Sequence, residues 1–552
     1  MRRIRSYTFF LFILLIFSWG CKKKNRIDEE YYRYLSDPNL PPAYGGEFVT
    51  ASIGDASVLL PVLATDSASF DIISLVYNTL IRYDKNLNFK GELAKKWKVS
   101  KDGMVITFYL HKNVRWHDGV PFTADDVIFT YKLITDPETP TPYASQFNVI
   151  DHIEKVDDYT IRVYYKEPFA PALNSWAGLY IVPKHLLYGK KVTDPSLKLK
   201  RHPIGTGPYK FVEWRPGDRI VLEVNRDYFD GRPYISKYVY RIIPDQATIF
   251  LELKAGGLDE AGLTPVQFVR QSNFERFRRN FNKYKYLGFG YTYLGYNLLN
   301  PLFRDRRVRQ AISYAINKKE IIDGVLMGQG IIATGPYRPG TWYYNPDVKK
   351  YPYNPQMALK LLHEAGWYDH DGDGILDKNG KPFRFTIMTN QGNNQRKLTA
   401  EIIQKRLREI GIDVKIRIVE WSTFINEFID KKKFDAVILG WGLDPDPDQY
   451  DIWASTKTGP NQFNFISYKN PEVDRILDEA RHTFDIEKRK KLYYRFQEIL
   501  AEDQPYTFLY IPYSLVAVHK RVRGIKPAPA GISYNFIRWY IPRPLQGKRL
   551  VE

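Results

Sequence analysis

Hydrophobic side chains recur along the chain with two different periods. Apolar and polar residues alternate from Ile106 to Leu110, which is the period of a half-buried β-strand. A helical spacing of i, i+3, i+4, i+7 and i+8 instead relates Val308, Ala311, Ile312, Ala315 and Ile316. We therefore predict a strand around residues 106–110 and an amphipathic helix around residues 308–316.

The two patterns also follow one another directly. Helical spacing over residues 402–410 stops at Gly411, a residue type that commonly ends helices, and strand alternation resumes over residues 414–418. A further helix is predicted over residues 473–480. Because helices and strands alternate in this way, we expect an α/β fold with buried sheets. The 552 residues are enough for several domains.

The first residues carry a different pattern. Three arginines among the first five residues precede an unbroken apolar run from Phe9 to Phe17. That run is about half of the ~20 residues that a membrane-spanning helix needs. We therefore predict a secretory signal peptide over residues 1–20.

The single cysteine of the chain, Cys21, follows this run. Its position resembles the lipobox of bacterial lipoproteins, in which the cysteine after the signal peptide is acylated, although Ser18 and Trp19 depart from the usual residues. The resemblance implies lipidation at Cys21, and the polar, proline-containing residues 21–45 are expected to form a tether. The alternative is an incidental thiol. A lone cysteine also excludes an intramolecular disulfide and a cysteine-based metal site.

Composition indicates a globular protein with a strong basic surplus. The chain is 44% hydrophobic and 26% charged, and 81 Lys and Arg against 62 Asp and Glu give a net charge of +19. Nucleic acid, an anionic membrane or an acidic ligand could explain this surplus. Because an exported protein rarely meets nucleic acid and no recognition motif occurs, we expect no nucleic-acid partner. The membrane and the acidic ligand stay open.

The common signatures of catalysis are absent from the sequence. It contains no G-x-S-x-G elbow, no H-E-x-x-H pair, no Walker A loop and no G-x-G-x-x-G after a strand. The nine histidines are scattered along the chain. We therefore expect a protein that is not an enzyme and that requires no cofactor.

Several stretches, in order along the chain, resemble one protein family. They are residues 77–131, with W-H-D-G-x-P-F-T-A-D-D-V from Trp116, residues 205–231, 304–322, 365–383 and 434–451, and Y-I-P-Y at 510–513. Together they resemble the family 5 solute-binding proteins, which are the peptide and nickel receptors of bacterial ABC importers. The resemblance runs from about Gly45 to Pro542.

This resemblance implies a two-lobed periplasmic-binding-protein fold of type II, cluster C. Lobe I would comprise residues 46–288 and 511–545, with a subdomain of about residues 80–200 inserted in it, and lobe II would comprise residues 289–510. The chain would cross between the lobes twice. Two crossovers form a hinge about which the lobes can close on a ligand.

The segment 440–448, which reads G-W-G-L-D-P-D-P-D, is the main candidate for ligand contact. It follows a strand-like run, and α/β folds place ligands beyond such strand ends. In the peptide-binding members of the resembled family an aspartate of this loop pairs with the α-ammonium group of the ligand. Asp444 is the matching residue, with Trp441 and Gly442 beside it. The alternative is that these aspartates are ordinary turn residues beside prolines.

Two further tryptophans are candidates for the ligand site. Trp453 could line the same pocket, and Trp116 could contribute to a wall from lobe I. An extended peptide would be held there by main-chain hydrogen bonds, as in strand addition. Its side chains would fall into hydrated pockets.

A separate acidic segment has the D-x-D-x-D-G spacing of a calcium loop. It contains Asp369, Asp371, Asp373 and Asp377, and alternate carboxylates around a turning glycine can hold Ca²⁺. The twelfth position is Gly380, where an EF-hand has Glu, and no exit helix is predicted after it. A structural Ca²⁺ site and a plain turn are both retained.

These features lead to one functional expectation. We expect a monomeric, lipid-anchored receptor outside the cytoplasm that captures di- to oligopeptides by lobe closure and delivers them to the permease subunits of an ABC importer. One alternative keeps the fold but binds a nickel chelate, haem, an opine or a glycan. Another is a peptide sensor or holdase that works without an importer.

Overall fold

A computed structural model describes residues 29–547, so the signal peptide and Cys21 lie outside the described residues. Numbered along the chain, the strands are β1 (Glu47–Ser52), β2 (Ile81–Tyr83), β3 (Phe89–Gly91), β4 (Ala94–Val99), β5 (Val105–Leu110), β6 (Ile150–Asp157), β7 (Thr160–Tyr165), β8 (Tyr209–Arg215), β9 (Arg219–Val224), β10 (Lys237–Ile242), β11 (Glu260–Gly262), β12 (Phe281–Leu287), β13 (Tyr291–Tyr296), β14 (Gly330–Ile332), β15 (Asp377–Lys378), β16 (Lys381–Pro382), β17 (Arg384–Asn390), β18 (Asp413–Val419), β19 (Ala436–Trp441) and β20 (Tyr506–His519). The α-helices are α1 (residues 29–36), α2 (Ser67–Val76), α3 (Ala124–Thr135), α4 (Ala172–Gly178), α5 (Lys184–Leu187), α6 (Gln246–Lys254), α7 (Glu275–Asn280), α8 (Arg306–Ala315), α9 (Lys318–Glu320), α10 (Pro355–Glu364), α11 (Asn394–Arg408), α12 (Trp421–Thr423), α13 (Tyr450–Trp453), α14 (Pro471–Arg481) and α15 (Ile486–Asp503).

Most sheets lie within one of the two ranges assigned to the lobes, and one eight-stranded sheet contains strands of both ranges. In lobe I, one sheet has the order β1-β10-β9-β8, with β1 parallel to β10, and another has the antiparallel order β4-β5-β7-β6. The second of these lies within the span assigned to the inserted subdomain. In lobe II, β17 pairs in parallel with β18 and β19, and β19 pairs antiparallel with β13.

Strand β20 belongs to both lobes. Its first part, through Tyr510, pairs with β13, and its second part, from Tyr513, pairs with β12. Residues 288–290 link β12 to β13 beside it. The chain therefore passes between the two sets of strands at these two neighbouring places. Motion of the lobes about them stays a prediction.

The periodicity arguments are confirmed by the described elements. The apolar positions of β5 and of α8 are buried, and α11 gives way to β18 across Gly411. Gly411 has a φ of 79°, and a Cβ at this position would lie 2.9 Å from a side-chain carbon of Leu376. This backbone conformation and this close packing both favour glycine.

The glycines of the G-T-G-P-Y segment at 205–209 serve packing. A Cβ at Gly205 would lie 1.9 Å from the carbonyl oxygen of Val76, at the end of α2. The backbone N–H of His117 donates to the Gly205 carbonyl at 2.8 Å, and the His117 ring lies 3.0 Å from the Gly207 carbonyl through Nε2. Burial lowers the pKa of His117 to about 4, so the ring is neutral near pH 7.

The predicted tether over residues 21–45 is wrong for its second part. Residues 29–36 form helix α1, on which Tyr31, Tyr32 and Leu35 are buried against lobe I. The Arg279 guanidinium lies over the Tyr32 ring at 3.6 Å from its centroid, and Arg523 donates to the Leu35 carbonyl. The polar residues around these apolar side chains had suggested a solvated segment. Within residues 29–547, no helix is long and apolar enough to cross a bilayer.

Candidate ligand site

A cavity of about 740 Å³ lies between the lobes. This volume is in the range of small-molecule sites. Lobe I lines the cavity with the start of α2, the region around Tyr143 and helix α4, and lobe II lines it with the start of α11, residues 421–430 and the 440–452 segment. Thr65, Asp66 and Ser67 form part of the lobe I wall.

The lobes touch each other around this cavity. The side-chain amide of Gln146 donates to Asp451 at 3.1 Å, and that of Gln462 donates to the Thr141 carbonyl at 3.1 Å. The backbone N–H of Ala170 donates to the carbonyl of Arg481 at 2.7 Å. Each bond joins lobe I to lobe II, so the structure has the lobes closed.

Strand β19 positions the candidate ligand loop. It lies between β13 and β17, and the chain leaves the sheet at Trp441. The Trp441 indole N–H donates to the Tyr506 hydroxyl at 3.3 Å, and the ring packs edge-on against Phe463 at 5.4 Å. At Gly442 a Cβ would meet no atom within 4 Å, because the residue opens onto the cavity. Trp441 therefore forms a fixed aromatic wall.

The prolines and two of the aspartates hold the loop in place. The Tyr343 hydroxyl donates to the Pro445 carbonyl at 2.9 Å, and the Tyr337 hydroxyl donates to the Pro447 carbonyl at 2.6 Å. Asp448 accepts from the Arg481 guanidinium at 2.8 Å and 3.0 Å. This pair neutralises Asp448, which therefore supports the loop although it also borders the cavity.

Asp446 occupies an intermediate position. Burial raises its pKa to about 6, although Arg489 opposes this shift from 3.8 Å. Asp446 also accepts a hydrogen bond from the backbone N–H of Asp448 at 2.9 Å, which shapes the turn. Asp446 and Asp448 therefore make the contacts of turn residues, which is the alternative that the sequence left open for these aspartates.

Asp444 differs from these neighbours. It lines the cavity, and among residues 29–547 it has no hydrogen-bond or ion-pair partner. The surrounding protein desolvates the carboxylate and raises its pKa. A desolvated carboxylate is stabilised by a cation that brings its own hydrogen-bond donors. The geometry therefore leaves Asp444 available for a positively charged group of a ligand.

Sequence reasoning missed two charged residues of the cavity. Arg396, in the first turn of α11, donates to Asn390 at 2.8 Å but has no carboxylate partner within residues 29–547. Burial lowers its pKa, which for a guanidinium still leaves the charge in place. Arg396 is thus a counterion for an anionic group.

Asp430 is the second missed residue. It follows the helical turn Phe424–Ile429 and lines the cavity without a side-chain partner among the described residues. Burial, and then the nearby Asp66, raise its pKa to about 6. Asp66 itself is held by Ser69 and by the Trp421 indole at 3.4 Å across the lobes. No motif marks Arg396 or Asp430, because both lie in polar stretches that resemble ordinary surface.

The two other tryptophan predictions are not supported by their positions. Trp453 is fully buried behind the cavity, with its ring 4.7 Å from Tyr506 and its indole N–H donating to Gln449 at 2.9 Å. Trp116 is buried in lobe I and donates to Asp126 at 3.3 Å. Neither residue lines the cavity. Both are packing residues, since their indole groups are already satisfied within the protein.

The acidic loop lies elsewhere in lobe II. Ligand oxygens of Asp369, Asp371 and Asp373 come within 4.8 Å of one another, and all three residues are exposed. Asp377 does not join them, because its carboxylate accepts from the His370 backbone at 3.0 Å and lies 2.9 Å from the His370 ring. Asp369 accepts from two backbone N–H groups of the loop, as a turn residue does. Calcium binding here stays a prediction.

Two closed lobes around a cavity with charged and aromatic walls define a solute-binding receptor of the periplasmic type. The profile of the bacterial extracellular solute-binding proteins, family 5 (middle region), matches residues 88–463, and the chain belongs to this family. The α/β fold of the periplasmic binding proteins, expected from the sequence, is confirmed, and the bounds of the lobes and of the inserted subdomain stay predictions. The family also places this receptor outside the cytoplasm.

Individual relatives agree over nearly the whole chain. The oligopeptide-binding protein AppA of Bacillus subtilis is 36% identical over 542 residues, which cover 97% of this chain and 98% of that protein. Heme-binding protein A of Haemophilus influenzae is 30% identical over 504 residues, covering 85% and 88%. The solved structure of AppA with a nonapeptide matches with a TM-score of 0.87 at 37% identity, covering 91% of this chain and 100% of that one.

Proposed function

We propose that this receptor captures peptides between its lobes and delivers them to an ABC importer. The observation that carries the proposal is Asp444, a cavity carboxylate without a partner among the described residues, next to the fixed indole of Trp441. A peptide with a free amino terminus supplies the missing cation. The likeness to AppA and to its nonapeptide complex supports the same ligand class.

Arg396 and the backbone of the cavity complete this proposal. A peptide also carries a carboxylate, either at its terminus or on a side chain, and Arg396 offers a counterion. The cavity volume of about 740 Å³ suits a short extended chain with water around its side chains. Among the residues that line the cavity there is no histidine, which disfavours direct coordination of a metal such as nickel.

The membrane attachment is proposed as well. Cys21 would be acylated after removal of residues 1–20, which would place the receptor on the outer side of a membrane near its importer. Because one chain encloses the whole cavity, the receptor is proposed to act as a monomer. Since its family consists of solute-binding proteins, it is proposed not to be an enzyme. Mass spectrometry of the mature amino-terminal peptide tests the acylation, and size-exclusion chromatography with light scattering tests the monomer.

The ligand itself is tested directly. Native mass spectrometry of protein purified without denaturation should release peptides, and a peptide pool should raise the melting temperature of ligand-free protein. A matched pool with acetylated amino termini should raise it much less. Haem, a metal chelate or a sugar in the released fraction, with no response to peptides, would contradict the proposal.

A further inference from the structure

Helix α7 and the turn before it carry an exposed basic face. Between residues 264 and 285 the chain has six Lys and Arg against one Glu. Arg270, Arg276, Arg278 and Arg279 are all exposed. Arg270 and Arg278 form no ion pair within residues 29–547, and Arg278 instead donates to Asn273 at 2.9 Å. We call residues 264–285 the α7 face.

Apolar side chains lie among these arginines. Val266, Val269 and Phe274 are 40%, 37% and 41% exposed, which is high for large hydrophobic residues. Phe274 is fixed by edge-on packing against Phe277 at 5.9 Å, and Phe277 stacks on Phe281 at 4.6 Å. A rigid surface that mixes arginines with protruding apolar groups is the kind that adsorbs to anionic lipid.

Helix α1, the first described element, lies beside this face. Arg279 covers Tyr32 of helix α1 at 3.6 Å, and α1 is anchored by its buried residues. Eight residue steps separate Cys21 from Glu29, the first residue of α1. A fully extended chain of eight residues spans at most about 29 Å. An acyl anchor at Cys21, as proposed above, would therefore hold α1 and the α7 face close to the membrane.

The ligand cavity does not account for the basic surplus. Its charged lining residues comprise six aspartates and one arginine, so the cavity is acidic. Seven Lys and Arg of the chain precede residue 29, and within residues 29–547 the basic surplus lies outside the cavity, with the α7 face as a concentrated part of it. An acidic ligand as the reason for the charge is disfavoured, which leaves the anionic membrane.

From these observations, we propose that the α7 face docks on the anionic surface of the membrane that holds the receptor. Arg270, Arg276 and Arg278 would meet lipid phosphates, and Val269 and Phe274 would enter the headgroup region. Attraction of this kind falls off within a Debye length of about 8 Å, so it requires the short tether. Docking would fix how the mouth of the ligand cavity is oriented relative to the bilayer.

The test uses the lipidated, full mature protein in vesicles. An environment-sensitive fluorophore is attached through Gln271→Cys on the α7 face or, as a control, through Asp478→Cys on α14 of lobe II, both of which are exposed positions. Vesicles of phosphatidylcholine alone are compared with vesicles that also contain phosphatidylglycerol, each with a headgroup-level quencher. We expect quenching at position 271 only with phosphatidylglycerol, its loss at high salt, and little quenching at position 478.

Charge variants then test the arginines. In Arg270→Glu/Arg278→Glu the docked-to-undocked ratio should fall at least about tenfold, since each arginine near an anionic surface contributes about fivefold. Lys488→Glu/Lys491→Glu on α15 changes the net charge equally and should leave docking intact. Unchanged melting temperatures and peptide affinities show that the variants are folded.

Three outcomes would overturn the docking proposal. Quenching that is independent of lipid charge would exclude the arginines as its cause. Equal effects of the two double variants would indicate net charge only, and quenching that appears only with the importer permease would indicate a protein partner. Because mass spectrometry reports acylation separately and peptide binding is measured in the same samples, failure of docking is distinct from failure of the anchor or of the proposed function.

Discussion

The side-chain amide of Gln146 in lobe I donates a hydrogen bond of 3.1 Å to the carboxylate of Asp451 in lobe II. Ser145 donates to the same carboxylate, and Lys457 lies 3.2 Å from it within lobe II. Asp451 is therefore a charged acceptor that fastens the closed lobes beside the ligand cavity. Hydrogen bonds to a charged group contribute about 1.5–3 kcal/mol, enough to affect the balance between open and closed lobes.

Weakening this contact should weaken ligand retention. We expect Gln146→Ala to speed peptide dissociation by about tenfold, because the closed state loses one charge-assisted bond. Gln146→Glu should have a larger effect, since a second carboxylate would face Asp451. Stopped-flow dissociation and small-angle scattering of the peptide-saturated protein measure the two effects. Equal dissociation rates in wild type and Gln146→Ala would contradict a role for this bond in closure.

Asp444→Asn should reduce affinity for peptides with a free amino terminus by about 100-fold, in line with the loss of one partner of a buried charge pair. Amino-terminally acetylated peptides should bind both proteins alike. Asp448→Asn and Asp446→Asn are poor controls because they remove the partners of Arg481 and Arg489. Asp430→Asn, which removes another cavity carboxylate without a side-chain partner among the described residues, is the matched variant. Isothermal titration calorimetry provides the affinities. If Asp444→Asn kept its preference for the free amine, the assignment would be wrong.

The substitution Arg396→Gln tests whether this arginine binds a carboxylate of the peptide. A peptide whose carboxylate reaches Arg396 should lose about 10- to 100-fold in affinity, while its amide should bind wild type and variant similarly. The nearby Lys397 is exposed and forms no part of the cavity lining, so Lys397→Gln is a matched control. If wild-type protein bound the peptide acid and the peptide amide with equal affinity, Arg396 would not be the counterion of a ligand carboxylate.

Asp430 predicts a pH dependence of stability in the ligand-free protein. Its folded pKa is about 6, above the ordinary value of 3.8, so folding disfavours the charged form. Below about pH 4 the carboxyl group is protonated in both the folded and the unfolded protein. The free energy of unfolding is therefore highest there and decreases as the pH rises through about 6. Asp430→Asn should therefore stabilise the protein near pH 7 by about 1 kcal/mol, allowing for screening by cavity water. Melting curves of both proteins should converge near pH 4; a constant difference would contradict this.

The buried pair of Asp259 and Arg521 predicts a large stability effect. Both residues are buried, Nε of Arg521 lies 2.5 Å from Asp259 Oδ1, and Asp259 also accepts from the Val49 N–H at 2.9 Å. Asp259→Ala removes a carboxylate partner of the buried Arg521 guanidinium inside lobe I and should cost about 3–5 kcal/mol. Breaking the exposed pair of Lys319 and Asp323 with Lys319→Ala should cost less than about 1 kcal/mol. Chemical denaturation of both variants makes the comparison.

The parts of the fold that the sequence predicted are those in which one side of an element is continuously apolar. The helix containing Val308 and Ile312 and the passage from α11 across Gly411 to β18 are of this kind. Helix α1 was not predicted because it is little more than two turns long and has only three buried side chains, which lie next to Glu29, Glu30 and Arg33. At that length a packed helix and a solvated linker have similar compositions.

The sequence predicted only those cavity residues that lie in one loop, close to one another along the chain. The loop after β19 carries Trp441, Gly442 and Asp444 into the cavity. Its place at a strand end predicted the loop, and the resemblance to family 5 implied Asp444 within it. Arg396 and Asp430 arrive from other elements and have no local signature. Trp453 lies near the loop in sequence, yet its ring turns into the core, where its N–H already has a partner. Proximity along the chain therefore did not predict which of the two tryptophans lines the cavity.

Strand β20 has a consequence for how the receptor unfolds. The continuous strand β20 pairs with β12 in lobe I and with β13 in lobe II. Unfolding of either lobe would therefore remove hydrogen-bond partners from a strand that the other lobe also uses. The two lobes should consequently denature as one cooperative unit, with a single calorimetric transition, although each lobe also contains strands of its own. A ligand that touches only the walls of the cavity would then protect amides throughout the receptor, including those in the sheets farthest from it.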